Sequence, residues 1–259
     1  MKTMKNLALF CALGIACASC SEASLAKRSL KQKDIEFTPE QFLTCFHTGD
    51  LESVRAFVTA GMSIDVMHWT EVDAIWMASQ EGHLDIVKYL VDQGADVNSP
   101  SSNNDTPLMQ ATKRQHHQVV RYLLETGANP NLIDGRQQTA ITYAVENEDL
   151  ECIDILFEAG ANLNPFDDWR ESALYTAIED ANIEIITYLL ENGADPNSKD
   201  VLGSVPLRIT VFMDNLELAG ILLEYGADPT IQDNQGESPL DVAIDRENNK
   251  MAALFRKYI

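Results

Sequence analysis

Paired apolar residues recur along the chain at a fixed interval, each pair a few residues before a glycine. Leu90-Val91, Leu123-Leu124, Leu156-Phe157, Leu189-Leu190 and Leu222-Leu223 precede Gly94, Gly127, Gly160, Gly193 and Gly226. Gly61 begins the series, and its step is 33 residues throughout. Around each pair the apolar positions follow helical spacing, as in Leu84, Ile86, Val87, Leu90 and Val91, so a short helix buries one face. The glycine stops that helix in a left-handed conformation that alanine resists. Four positions after each glycine come Asp65, Asn98, Asn131, Asn164, Asn197 and Thr230, residues suited to a tight turn.

A second series keeps the same step: Asp73-Ala74-Ile75, Thr106-Pro107-Leu108, Thr139-Ala140-Ile141, Ser172-Ala173-Leu174, Val205-Pro206-Leu207 and Ser238-Pro239-Leu240. In most of them a hydroxyl or carboxylate caps free N–H groups, and proline or alanine fits the first helical turn. Three residues later stand Ala78, Ala111, Ala144, Ala177, Thr210 and Ala243, small enough for two helices to approach closely. The pattern predicts an all-α stack of about seven helix-turn-helix modules. Their spans are about 39–66, 69–101, 102–134, 135–167, 168–200, 201–233 and 234–259. The first lacks the helix-start string and is expected to cap one end, and the seventh to close the other, because terminal modules must shield the stack.

The strings T-P-L-M (106–109), E-G-H-L-D-I-V-K-Y-L-V-D-Q-G-A-D-V-N (81–98) and Y-L-L-E-N-G-A-D-P-N (188–197) resemble the ankyrin repeat family, over roughly residues 39–259. One departure is consistent. Where the family has histidine after T-P-L, this chain has Trp76, Met109, Thr142, Tyr175, Arg208 and Asp241. The resemblance implies an ankyrin-repeat solenoid with projecting β-turn tips. It also implies non-catalytic protein binding, through the turn tips and the exposed side of the first helix of each pair, which together form a concave groove. Mapped onto this chain, those positions include Trp69, Trp76, Glu146, Phe166, Trp169, Glu171, Glu179, Asp180, Leu202, Phe212 and Met213. All three tryptophans fall there, and large exposed aromatics are typical interface anchors. Such a surface suits a protein partner with an apolar ridge and a basic patch.

Residues 1–20, MKTMKNLALFCALGIACASC, have a different character. Lys2 and Lys5 precede an uncharged apolar run from Leu7 to about Ala18, and small residues follow, the order of a secretory signal. The run is too short to span a bilayer comfortably. Ala18 and Ser19 before Cys20 resemble a bacterial lipobox, with Cys20 as the lipidated residue. Cys17 is a weaker candidate, and neither cysteine has the preferred leucine three positions upstream. Ordinary cleavage after Ala18 is the other reading. In either case the chain is expected to be exported: to the bacterial envelope (periplasm or outer membrane) if lipidated, or secreted if not. Residues 21–38 would then form a polar tether.

The charge balance narrows the partners. Forty acidic residues face 19 basic ones, a net of −21 that loss of Lys2 and Lys5 takes to −23. Such a surface repels nucleic acid and anionic headgroups, so membrane contact is expected only through a lipid anchor. The unlipidated protein is expected to be a monomer. A structural envelope lipoprotein, self-associating or bound to cell wall, is the alternative role. No nucleotide-binding, zinc-protease or nucleophile-elbow motif occurs, so neither an enzyme nor a cofactor is expected. His116-His117 lacks further ligands at useful spacing, and the loops 96–105 and 195–200 lack the alternating calcium pattern, so no metal is expected. Cys45 and Cys152, three modules apart, are expected to be buried and unpaired.

Overall fold

A computed structural model describes residues 15–65, 72–164 and 172–259, with the backbone alone for 15–21. Among them fifteen helices occur and no strands. The chain starts with α1 (Ile15–Gln32). Seven pairs follow: α2 (Pro39–Thr48) with α3 (Leu51–Thr59), α4 (Ala74–Glu81) with α5 (Leu84–Asp92), α6 (Pro107–Lys113) with α7 (His117–Glu125), α8 (Ala140–Glu146) with α9 (Leu150–Glu158), α10 (Ala173–Glu179) with α11 (Ile183–Glu191), α12 (Pro206–Phe212) with α13 (Leu216–Glu224), and α14 (Pro239–Asp245) with α15 (Asn249–Phe255).

The first helices of successive pairs pack side by side as an inner row, and the second helices form an outer row behind them. Ala78, Ala111, Ala144, Thr210 and Ala243 are completely buried where the rows meet, and Ala177 nearly so, which is why the sequence keeps them small. Larger side chains there would force the helices apart. Cys45 and Cys152 lie in this core as free thiols. Burial raises them to about 11 and about 12 respectively, so neither is a ready nucleophile at neutral pH.

Successive modules are tied together by the asparagine that follows each turn. The Asn131 side chain accepts from the Asn162 N–H at 2.8 Å and donates to the Gly160 carbonyl at 3.0 Å. Asn98, Asn164 and Asn197 repeat both bonds one module along. Asparagine alone among the turn-forming side chains offers both a carbonyl and an amide donor at this reach. Asn131→Ala is therefore expected to lose about 1–2 kcal/mol, measured by urea denaturation. An unchanged midpoint would show that water replaces the ladder at no cost.

Helix starts are capped by side chains. Thr38, Asp50, Thr106, Asp149, Ser172, Asn182, Asn215, Ser238 and Asn248 each accept an N–H from the first turn of the helix that follows. The Ser238 hydroxyl and N–H also bond Asp241, at 2.6 and 3.0 Å, which holds that carboxyl below its usual range. A depressed folded-state pKa adds stability above the ordinary carboxylate range and forfeits it as the pH falls through the folded value. The stability gap between the parent chain and Asp241→Asn should therefore shrink below about pH 4, as followed by thermal melts across pH.

Two expectations change at the amino-terminal end. Residues 22–32, expected within a polar tether, continue α1, which packs on α3 in line with the outer row. Ala26 and Leu30 form a buried stripe one turn apart, hidden in composition by the surrounding Lys, Arg and Ser. Lys33 reinforces the docking through Asp50 at 3.1 Å and Glu52 at 3.2 Å. Phe37 stacks on Phe57 with ring centres 5.4 Å apart. The first pair does have a helix start, Thr38-Pro39, displaced from the 33-residue register, and α1 rather than that pair covers the end. Residues 1–14 of the expected signal segment lie outside the described residues. The expected cleavage points, after Ala18, before Cys20 and the weaker one before Cys17, fall within α1 and leave Ala26 and Leu30 in place. Among the described residues no helix is long and apolar enough to cross a membrane.

Candidate interaction surface

Between modules the chain projects as tight tips built to one plan. In 134–138 the Asp134 carboxylate accepts the N–H groups of Arg136 and Gln138 at 2.8 and 3.0 Å, while its own N–H donates to the Gln138 carbonyl. Asp200 does the same for Leu202 and Ser204, and Asp233 for Gln235 and Glu237. In 101–105 the Ser101 hydroxyl takes that role. Neighbouring tips join through backbone bonds, Gly135 N–H to Asn103 carbonyl at 2.8 Å and Asn234 N–H to Leu202 carbonyl at 2.9 Å. The tips are thus a preorganised edge, which lowers the entropic cost of binding.

Groups on the inner helices reach these tips. Lys113 lies 2.5 Å from Asp105 and 3.9 Å from the Tyr143 ring centre. Tyr143 donates to Asp134, and burial followed by that carboxylate raises its hydroxyl pKa strongly. Arg208 bonds Asp233, and Glu237 at 3.2 Å. Asp233 stays below the usual carboxylate range, because burial acts against it but the Glu237 and Gln235 N–H groups and Arg208 outweigh that.

The expected surface residues fall into distinct places. Trp69, Phe166, Trp169 and Glu171 lie outside the described residues. Trp76, expected to be exposed, is half-buried against the core, and its indole N–H finds no acceptor among the described residues. Its wide apolar ring gains more from lying on the buried core than from standing in water. Glu146, Glu179 and Asp180 are exposed. Gln138 donates to Glu146 at 2.5 Å. Leu202, Phe212 and Met213 keep 63%, 51% and 38% of their surface in solvent. Leu202 and Phe212 share a cleft of about 370 Å³ between α10, α12 and the tips at 200–204 and 233–237, with Glu179 on its rim.

Tyr175, Arg208 and Ile209 also line this cleft and were not among the expected site residues. Tyr175 and Arg208 occupy the position after S-A-L and V-P-L, which the repeat directs toward the groove, so the period contained the signal. Arg208 and Arg246 flank the Phe212 ring at 5.7 and 5.0 Å.

The histidine pair diverges. His116 Nε2 lies 3.0 Å from the Gln80 carbonyl, toward the preceding module. His117 reaches the following one, with Nε2 2.5 Å from Asp149 and Nδ1 3.2 Å from Glu151. In the loops 96–105 and 195–200, Asp96 and Asp195 accept backbone N–H groups of their own turns. Among the described residues no group of three His, Cys, Asp or Glu side chains could hold a metal ion.

A family model described as ankyrin repeats (3 copies) matches residues 42–134 and 127–200. No curated protein matches the chain. The human ASB11 ankyrin repeat domain is similar in structure, with a TM-score of 0.68 and 25% identity, over 86% of this chain and 98% of that one. The ankyrin repeat domain of Bcl-3, a member of the IkappaB protein family, gives a TM-score of 0.74 at 24% identity, over 85% and 98%. With its helix pairs in register, its tips on one edge and the family model spanning well over half its length, the chain belongs to the ankyrin repeat family, whose modules generally bind other proteins without catalysing a reaction.

Proposed function

We propose that this chain is a non-catalytic binding module of an extracytoplasmic compartment, holding a protein partner in its concave groove as an inhibitor, immunity protein or accessory subunit. The observation that carries the proposal is the apolar wall formed by Leu202 and Phe212 beside Glu179. Large apolar side chains left in solvent next to preorganised tips mark a surface that gains from being covered. Lys2, Lys5, the uncharged run to Ala18 and the small residues before Cys20 support export and attachment of the chain by a lipid at Cys20.

The test is partner capture from native envelopes, identified by mass spectrometry, with the parent chain and a Leu202→Ser/Phe212→Ser variant. The variant should capture its main partner at least about tenfold less efficiently, equivalent to the loss of ~1.4 kcal/mol. Both side chains are exposed, so its thermal midpoint should match that of the parent. Equal capture by both proteins would reject this surface.

A further inference from the structure

Among the described residues, Lys113 and Arg208 on the groove side are already engaged, whereas several of the acids there are not. Lys113 is held by Asp105, and Arg208 by Asp233 and Glu237. Glu179 and Asp180, at the end of α10, form no ion pair among the described residues and stand in solvent. One helix further toward the amino terminus, Glu146 is bonded by the neutral Gln138 amide but by no cation. Desolvation pushes its carboxyl above the usual range despite that bond and the nearby charges of Lys113 and Arg136. On the other side of Phe212 the charge is mixed: Arg246 stacks on the ring and Lys250 stands near it, but Asp214 and Glu247 line the same hollow and Arg208 is paired with Asp233 and Glu237. The cleft therefore has an apolar wall, an unpaired acidic side toward α8 and a side of mixed charge toward α14.

Resting on the binding reading above, we propose that the occupant is an extended segment of the partner protein that is itself polarised. It places one bulky apolar side chain between Leu202 and Phe212, and carries Lys or Arg on the side facing Glu179, Asp180 and Glu146. Packed helices lie about 8–10 Å apart and an extended chain rises about 3.3 Å per residue, so the basic residues stand roughly two to four positions from the apolar one. On the opposite side a cation would meet Arg246 as well as Asp214 and Glu247, so the unpaired acids toward α8 are the favoured place for the basic residues. An acidic segment, or a basic one without the apolar anchor, is the competing occupant.

Fluorescence anisotropy at physiological ionic strength tests this with the full chain and three short labelled peptides. One carries Lys-Lys three positions from a single Trp, the second replaces Lys-Lys with Glu-Glu, and the third replaces Trp with Ala. The Lys/Trp peptide should bind at least about tenfold more tightly than either other peptide. Phe212→Ser should remove that advantage. A Glu179→Lys/Asp180→Lys variant should reverse the charge preference while keeping the need for Trp. Equal binding of the Lys peptides with Trp and with Ala would overturn the proposal, reducing the effect to attraction by an acidic surface. Preference for the Glu peptide, or no binding by any, would overturn it as well. Should native-partner capture still depend on Leu202 and Phe212, the general binding role would survive that failure.

Discussion

Shortening Leu156 to alanine should cost about 3 kcal/mol of unfolding free energy, among the largest losses available to a single substitution here. Leu156 is fully buried on α9, in the fourth of the seven pairs, beside other fully buried residues such as Cys152 and Ile153. Neither neighbouring pair can collapse into the void without breaking its own contacts. Stability in a stack is a sum of module and interface contributions, so damage at the centre weakens both halves and their coupling. Urea denaturation followed by circular dichroism should show a lower midpoint and a shallower transition, as the halves begin to unfold separately. Leu202→Ala, at the exposed end of the groove, should stay within about 0.5 kcal/mol of the parent. A comparable loss at both sites would mean that the apolar wall serves the fold rather than a partner.

Gly82→Ala should cost about 2–3 kcal/mol, from backbone strain and collision together. Gly82 has φ 78°, and an added Cβ would lie 2.5 Å from His116 Nδ1. The ring could move only by giving up its contact with the Gln80 carbonyl. Gly49 stands in the same relation to His83, with a Cβ position 2.7 Å from Cε1. In the later modules Gln115, Glu148, Ala181, Asp214 and Glu247 hold the equivalent left-handed position with φ between 51° and 58°. There Asp149, Asn182, Asn215 and Asn248 cap the next helix in place of histidine. Glycine is therefore kept where a histidine ring lies across the turn, and dispensed with where a short capping side chain replaces it. The converse substitution, Ala181→Gly, should gain about 0.5 kcal/mol by relieving the strain. Thermal melts of both variants check the pair, and a gain at Gly82 would refute the packing argument.

The repeat was legible because each of its marks answers a local requirement. A left-handed helix end selects Gly94 or Gly127 wherever it recurs, a helix start selects Thr106-Pro107, and a tight interface selects Ala111. The asparagine ladder was visible as a position, though its double bond across modules needed coordinates. Helix α1 escaped notice because two buried residues, Ala26 and Leu30, give too narrow a stripe to stand out among charged neighbours. Trp76 was misplaced because its position in the repeat fixes a direction but not how far a wide ring folds back onto its neighbours. The exposure of Leu202, Phe212 and Met213 was anticipated by counting from the tip and the helix start. Their association with Tyr175 and Ile209 depends on how two adjacent modules face each other, which no single repeat records. The identity of the partner follows no period, because groove side chains vary while the scaffold stays constant.

Helix α1 gives the molecule an arm without a swivel. Ala26, Leu30 and the Lys33 ion pairs clamp it to α3, and from residue 15 onward the backbone continues as a single helical rod. A lipid at Cys20 would thus leave the stack little freedom to tumble on a string. The groove would meet incoming proteins at one set angle, and a partner tied to the same surface would be engaged only if its own docking site stood at the matching height and tilt.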